Sequence, residues 1–274
     1  MNFSELTITH YDKTGLFSNC SVMLGKIIDF YNQFFREPNS IDSSNLFYRY
    51  KSIDDRNNNT DITHKFFKNY KELPSFIYDK NNMVIDYHPS RTQFSDYRNI
   101  NLCYYKNFIN KYFSPSDDIN NKIKFIENKY NLDYDNICVL FFRGNDKCTE
   151  TFICEYDRYI QIAKKIYKDN PSILFLIQSD ETEFIDTIMN EFPNNSFYFK
   201  DEIVHIKKDI STCNIFRSDN DYYGFFYLAI TIIMARCKFV VCNTTNCSLW
   251  IMLYRNNNNH FYQDYNNQWF LDYN

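Results

Sequence analysis

Glycine is scarce in this chain: four occur in 274 residues, at Gly15, Gly25, Gly144 and Gly224. No Walker, GxSxG or HExxH motif is present. Their absence removes the usual signatures of P-loop nucleotide binding, serine hydrolysis and zinc proteolysis. No apolar run approaches the roughly 18 residues of a membrane-spanning helix; the longest, residues 225–235, is too short. The first residues lack a basic segment followed by an apolar one, so no signal peptide is read and a soluble, cytoplasmic protein is expected. Neither sign of charge dominates. The net charge is −4, and the basic residues lie among acidic ones. A basic stripe of the kind nucleic acid needs is not visible, so no nucleic-acid partner is expected. The five histidines (His10, His64, His88, His205, His260) form no cluster. Nine cysteines include Cys237, Cys242 and Cys247 at spacings of five, which fits no usual zinc pattern. Reduced, mostly buried thiols are expected, and no metal.

What is abundant points to a folded enzyme-sized chain. An apolar fraction of 44% and an aromatic fraction of 19% exclude disorder. The length allows one or two domains with a sizeable core. The wealth of Asn, Lys, Ile, Tyr and Phe looks like a codon bias, so no single Asn or Tyr carries much weight.

Periodicity predicts a strand at 6–10, then a loop with Gly15, then a helix over 19–35 with Ser18 or Asn19 as N-cap. Residues 39–100 carry no sustained periodicity, and a strand is predicted at 46–50. Helices are predicted over 102–113 and 118–130. A polar, turn-rich stretch at 131–136 sets the expected domain boundary, giving domains 1–132 and 133–274, with the tail expected to pack back on the first. The second half alternates regularly. Strands at 137–142, 173–177, 197–199 and 239–242 alternate with helices at 156–168, 180–192, 224–235 and 247–255. Asp180 and Glu183 have capping-box spacing. Alternation of this kind predicts an α/β fold with a parallel sheet covered on both faces.

The chemistry concentrates after the apolar run 137–142. Arg143, Gly144, Asn145, Asp146, Lys147 and Glu150 follow it, at the strand end where open α/β sheets bind ligands. Arg143 is a planar, permanent cation suited to phosphate oxygens, and Lys147 is a movable second one. Asp146 can orient either, and Glu150 can accept a proton from an attacking hydroxyl. On spacing alone, an Arg–Asp ion pair capping a loop fits as well. Asn243-Thr244-Thr245-Asn246 suits phosphate at a helix N-terminus or plain N-capping. Asp219-Asn220-Asp221 matches a D-x-D metal motif, for which coincidence is the better account in so Asn/Asp-rich a chain.

The segment Phe141-Phe142-Arg143-Gly144-Asn145-Asp146-Lys147 with Thr149-Glu150 resembles the His-x-Arg-Arg-x-Asp-Lys…Glu segment of the α-1,6-fucosyltransferases, relatives of the nodulation and protein O-fucosyltransferases. Gln178-Ser179-Asp180 is similar to that family's Thr-Asp-Asp-like turn. Ala235 to Asn246 is similar to its Ser-x-x-Asp-Phe-x-Val-Cys-Thr-x-Ser-Ser segment. Gly15-Leu16-Phe17-Ser18-Asn19 looks like the Gly-x-Phe-Gly-Asn loop of the O-fucosyltransferases. The similarity spans about residues 110–255. The departures are Phe141 for the family's His, Gly144 for its second Arg, Ile230 for an acidic residue, and one residue fewer between Lys147 and Glu150.

The resemblance implies a GT-B architecture, two Rossmann-like domains with parallel sheets facing a central cleft. It implies an inverting, metal-independent transferase using GDP-fucose or another GDP-sugar, with a glycan or protein hydroxyl as acceptor and no cofactor. Carried over, Arg143 holds the diphosphate and Lys147 supports it. Asp146 orders the loop and Glu150 is the base. Asp180 lies near the nucleotide. Asn243, Thr244 and Thr245 bind phosphate, and Asn19 lines the cleft from the other domain. The other readings are a catalytically silent relative that binds a nucleotide-sugar or glycan, and a metal-dependent GT-A transferase using Asp219 and Asp221.

Overall fold

A computed structural model describes residues 5–9, 14–78, 85–145, 147, 150–200 and 220–270, the last stretch without the side chains of 220–222. The chain divides into two compact units. The first comprises Met1–Thr92, Asn101–Lys122 and Ser218–Ala229, and the second Gln93–Ile100, Ile123–Arg217 and Ile230–Asn274.

The elements in order begin with β1 (Glu5–Thr7), α1 (Leu16–Phe34), β2 (Ser40–Asp42), α2 (Ile53–Asn57), α3 (Thr63–Phe66) and α4 (Pro89–Gln93). α5 (Leu102–Tyr112) and α6 (Asp117–Tyr130) follow. β1 and β2 pair in parallel, Glu5 against Ser40 through Thr7 against Asp42. Among the described residues this is the first unit's whole sheet, smaller than a Rossmann-like domain would carry. α1 starts earlier than the periodicity predicts. Gly15 is its N-cap rather than Ser18 or Asn19, because the Asn19 amide bonds back to the carbonyls of Gly15 (2.9 Å) and Thr14 (3.2 Å). Residues 46–50 are not a strand. Phe47 sits at φ 58°, which reverses the chain into a 3₁₀ turn over Tyr48–Tyr50.

The second unit adds β3 (Ile137–Phe142), α7 (Tyr156–Asp169), β4 (Leu174–Ser179), α8 (Thr182–Glu191), β5 (Ser196–Phe197), the part of α9 (Asn220–Arg236) from Ile230 on, β6 (Phe239–Asn243), α10 (Asn246–Arg255), β7 (Phe261–Tyr265) and β8 (Gln268–Phe270). Its sheet has the order β5-β4-β3-β6-β7-β8. All neighbours are parallel except β7 and β8. This is a Rossmann-like α/β arrangement, and β3 lies inside it with all six residues buried, as its unbroken apolar run predicts. The β7–β8 hairpin was not legible in sequence. Its turn is Asn266-Asn267, both at positive φ (51° and 62°), which is how asparagine serves a two-residue hairpin. In an Asn-rich tail that signal does not stand out.

On one face of the sheet Cys138, Leu140 and Phe142 pack against Ile162, Ala163 and Ile166 of α7 and Phe184, Ile185 and Ile188 of α8. Phe142 stacks on Phe184 (4.7 Å between centroids) and meets Tyr156 edge-on (5.2 Å). Burying each such ring stabilises by about 1.5–3 kcal/mol. The last residue of β3 is thereby pinned, and with it the loop that follows. No helix among the described residues is long and apolar enough to cross a membrane.

Candidate functional site

In the second unit the chain leaves β3 toward β4 on one side and later returns to β6 on the other. Strand order therefore reverses between β3 and β6. The crevice at the carboxyl ends of such a pair is the general ligand site of open α/β sheets. Arg143, the first residue after β3, stands there. Its backbone is clamped across the switch by Asn243, which accepts from the Arg143 N–H (3.0 Å) and donates to its carbonyl (2.7 Å). Both groups of the Asn243 amide thus brace the two strand ends.

The Arg143 guanidinium is oriented by Asp180, which follows β4. Nε lies 2.8 Å from Asp180 Oδ2, and both side chains are largely buried. The other carboxylate oxygen accepts from the Gly144 N–H at 3.0 Å. Glu181 completes the arrangement. Its Oε1 accepts from the Asn145 N–H at 2.7 Å, its Oε2 accepts from the Tyr156 hydroxyl, and Asn145 Nδ2 reaches the Asp180 carbonyl at 3.0 Å. Asn145 takes φ 34°, a region asparagine tolerates better than most residues. The expected Asp180–Glu183 capping box is therefore not formed. Glu181 is the N-cap of α8 and makes no side-chain cap bond, because the Asp180 and Glu181 carboxylates both turn to the loop after β3. Burial, the hydrogen bond to Glu181 and the negative charge of the neighbouring carboxylates push the Tyr156 phenol well above its ordinary value.

Gly144 is explained by the same contacts. A Cβ at this position would lie 1.9 Å from Glu181 Oε1 and 2.3 Å from its carboxyl carbon. The space a second arginine would need next to Arg143 is filled by a carboxylate. Glu181, Asn145 and Tyr156 were missed by sequence reasoning. The adjacent Asp180-Glu181 pair was visible, but it was read as a helix start.

Lys147 pairs with Glu150, its ammonium 2.8 Å from both carboxylate oxygens. Glu150 is exposed and Lys147 more covered. Asp146 lies outside the described residues, as does Asp219. Asp221 falls in α9, but its side chain is not described. Among the described residues no group of three or more His, Cys, Asp or Glu side chains is arranged to hold a metal. Ile230, where the resemblance has an acidic residue, is buried in α9.

The phosphate-binding candidates on the β6–α10 turn also make bonds within the fold. The Thr244 hydroxyl donates to the Asp264 carbonyl (2.6 Å) and accepts from Gln263 (2.9 Å). Thr245 is the N-cap of α10, accepting from the Ser248 N–H at 3.2 Å, while its carbonyl accepts from the Tyr97 hydroxyl at 2.8 Å. What this turn offers a ligand is the start of α10 with its positive dipole end. In the first unit, Asn19 is fully buried, and its Oδ1 accepts from the Phe47 N–H at 3.1 Å. Its role there is to fix the Thr14–Gly15 turn.

One further carboxylate stands at this edge. Asp264 on β7 is buried and pairs with Arg158 of α7 at 3.0 Å. Burial raises its pKa, against the opposing pull of Arg158 and of a hydrogen bond from Cys154. A carboxyl whose folded pKa is raised contributes stability that is complete below its unfolded value near 4 and is lost as pH rises through the folded value. Asp264→Asn does not titrate. The melting temperature of the native chain relative to this variant should therefore fall as pH rises above about 4 in thermal scans. A difference that stays flat or grows with pH would show that the Arg158 pair outweighs burial.

No family model matches the chain, and no curated protein matches it. Among solved structures the chain is similar to a crystal structure of NodZ α-1,6-fucosyltransferase soaked with GDP-fucose, with 14% identity and a TM-score of 0.33. The match covers 52% of this chain and 43% of that one, less than half of the neighbour's length. So slight a likeness carries no argument about function.

Proposed function

We propose that the protein is a glycosyltransferase of the GT-B class, inverting and metal-independent, that moves fucose from GDP-fucose to a glycan or protein hydroxyl. The observation that carries this reading is the position of Arg143. A guanidinium is held in fixed orientation by Asp180 at a topological switch point, and the Arg143 backbone is braced by Asn243, three residues before the start of α10. A diphosphate leaving group needs a preorganised cation of this kind to take up its developing charge. The motif resemblance supplies the sugar and the donor class.

In this mechanism Arg143 carries the diphosphate and Asp180 keeps the guanidinium aligned. Lys147 moves from Glu150 to the diphosphate when donor binds. That exchange uncovers the Glu150 carboxylate, which takes the proton from the acceptor hydroxyl as it attacks the anomeric carbon from the side opposite the leaving diphosphate. Asp146 orders the loop. Asn243, Thr244 and Thr245 act by bracing the strand ends around the phosphate, and Asn19 by shaping its own turn.

A second reading, a relative that binds the nucleotide-sugar without transfer or uses another GDP-sugar, is favoured by Glu181, whose carboxylate stands where more positive charge would help departure. Calorimetric titration with GDP, GDP-fucose and UDP, with and without EDTA, tests the first reading. GDP and GDP-fucose should bind more tightly than UDP, and EDTA should change nothing. Absence of GDP binding sinks it, and EDTA-sensitive UDP binding points to the metal-dependent alternative.

A further inference from the structure

The carboxyl end of β4 carries a buried polar side chain that none of the described residues satisfies. Gln178 is 1% exposed. Among the described residues neither its Nε2 nor its Oε1 has a hydrogen-bond partner. The contrast with Gln263, at the same edge of the same sheet, is direct. That amide is also buried, but its Nε2 donates to the Ser95 carbonyl and Thr244 Oγ1 (2.9 Å each), and its Oε1 accepts from the Tyr97 N–H (2.9 Å). One glutamine is satisfied by the fold and the other is not. Buried polar groups nearly always have partners, so an amide left with none points to a group that arrives from outside.

Its surroundings narrow what that group is. Gln178 stands in register with Phe141 on β3, so both side chains leave the sheet on the same face. Two residues on, Asp180 holds the Arg143 guanidinium. An amide fork, an aromatic neighbour and a cation therefore share one strand end. A neutral amide has no charge with which to hold phosphate. Its donor and acceptor lie in one plane, which suits a flat ring edge better than the scattered hydroxyls of a sugar.

We propose that Gln178 reads the hydrogen-bonding edge of a nucleobase, with Nε2 donating to a ring acceptor and Oε1 accepting from the neighbouring N–H. This deepens the nucleotide-sugar reading above and rests on it. With guanine the pair is Nε2 to O6 and N1–H to Oε1. Because the amide can turn over, it recognises a base as a class, and other contacts choose among bases.

The test uses the full chain with GDP and with ribose 5-diphosphate, which has no base, in calorimetric titrations of the native protein, Gln178→Leu and Gln178→Met. The native protein should bind GDP more tightly than ribose 5-diphosphate. Both variants should lose about five- to hundredfold in GDP affinity, the range of one bidentate base contact, and keep their affinity for ribose 5-diphosphate. Neither should melt below the native protein, since the amide has no bond in the fold to lose. Variants that bind GDP as the native chain does, or that melt lower, would overturn the proposal and show an amide paired within the fold or to a resident water. Equal native affinity for the two ligands defeats this inference alone, whereas no binding of either defeats the nucleotide-sugar reading as well.

Discussion

Arg143→Ala is expected to abolish sugar transfer and to weaken GDP binding by at least tenfold, with the fold retained. The physical reason is that no other described cation is both oriented and set at the β3–β6 switch. Lys147 is flexible and already paired to Glu150, and Arg158 is engaged with Asp264 on β7. Removing Arg143 also leaves the buried Asp180 without its cation, so a loss of stability would confound the result. Arg143→Lys separates the two effects. It keeps a charge near Asp180 but lacks the planar fork that holds two phosphate oxygens at once. Its melting temperature should stay near native while GDP affinity and GDP release from GDP-fucose still fall about tenfold or more. If Arg143→Ala keeps more than about a tenth of the native rate, less than ~1.4 kcal/mol of barrier stabilisation is lost, and Arg143 is not the centre of the site.

Gly144→Ala should lower stability by about 2–4 kcal/mol, a large effect for one methyl group on a loop. The added carbon falls 1.9 Å from a Glu181 oxygen. That carboxylate cannot swing aside cheaply, because it holds the Asn145 N–H and the Tyr156 hydroxyl. Displacing it leaves a buried carboxylate and two donors without their bonds, and it shifts the turn that presents Arg143. Glu181→Ala makes the room but gives up the same two bonds. Chemical denaturation of the native chain, both single variants and the double variant forms a cycle. The double variant should be less destabilised than the sum of the singles by more than ~1 kcal/mol, as for residues in direct contact. Additive values would show that Glu181 is not what excludes a side chain at position 144.

Much of the second unit was written in its patterning. The all-apolar run 137–142 has no solvent-facing alternative, so it had to be a strand covered on both faces. Helices α7 and α8 follow from one-sided apolar spacing and are stopped near Pro171 and Pro193. With a parallel sheet implied, the charged residues after β3 had to lie at its carboxyl end. The first unit was less legible. Its short helices lack the length over which periodicity accumulates. Its Phe47 turn depends on a left-handed residue held by Asn19, 28 positions away in sequence. The candidate site divides in the same way. Arg143 stands out because a strand end announces it, whereas Asp180 reads as a helix start and becomes a candidate only through the resemblance of Gln178-Ser179-Asp180 to the family's turn. Glu181, Asp264 and Gln178 were not, because a carboxylate beside a helix start, an aspartate in an Asn-rich tail and a glutamine closing an apolar strand look ordinary one at a time.

Local pattern alone sets the strand–helix order of residues 137–255, the burial of β3 and the emergence of Arg143 at its end, since each follows from apolar periodicity and chain stops that act locally. Only the tertiary structure decided what surrounds Arg143. Whether the position after it holds a second cation or a void filled by Glu181 depends on two segments 36 residues apart meeting at 2.7 Å. Whether Gln178 or Gln263 is satisfied depends on which one the 93–100 segment reaches. Hydrogen bonds and close contacts of that kind are set by three-dimensional register, which no single-chain pattern records.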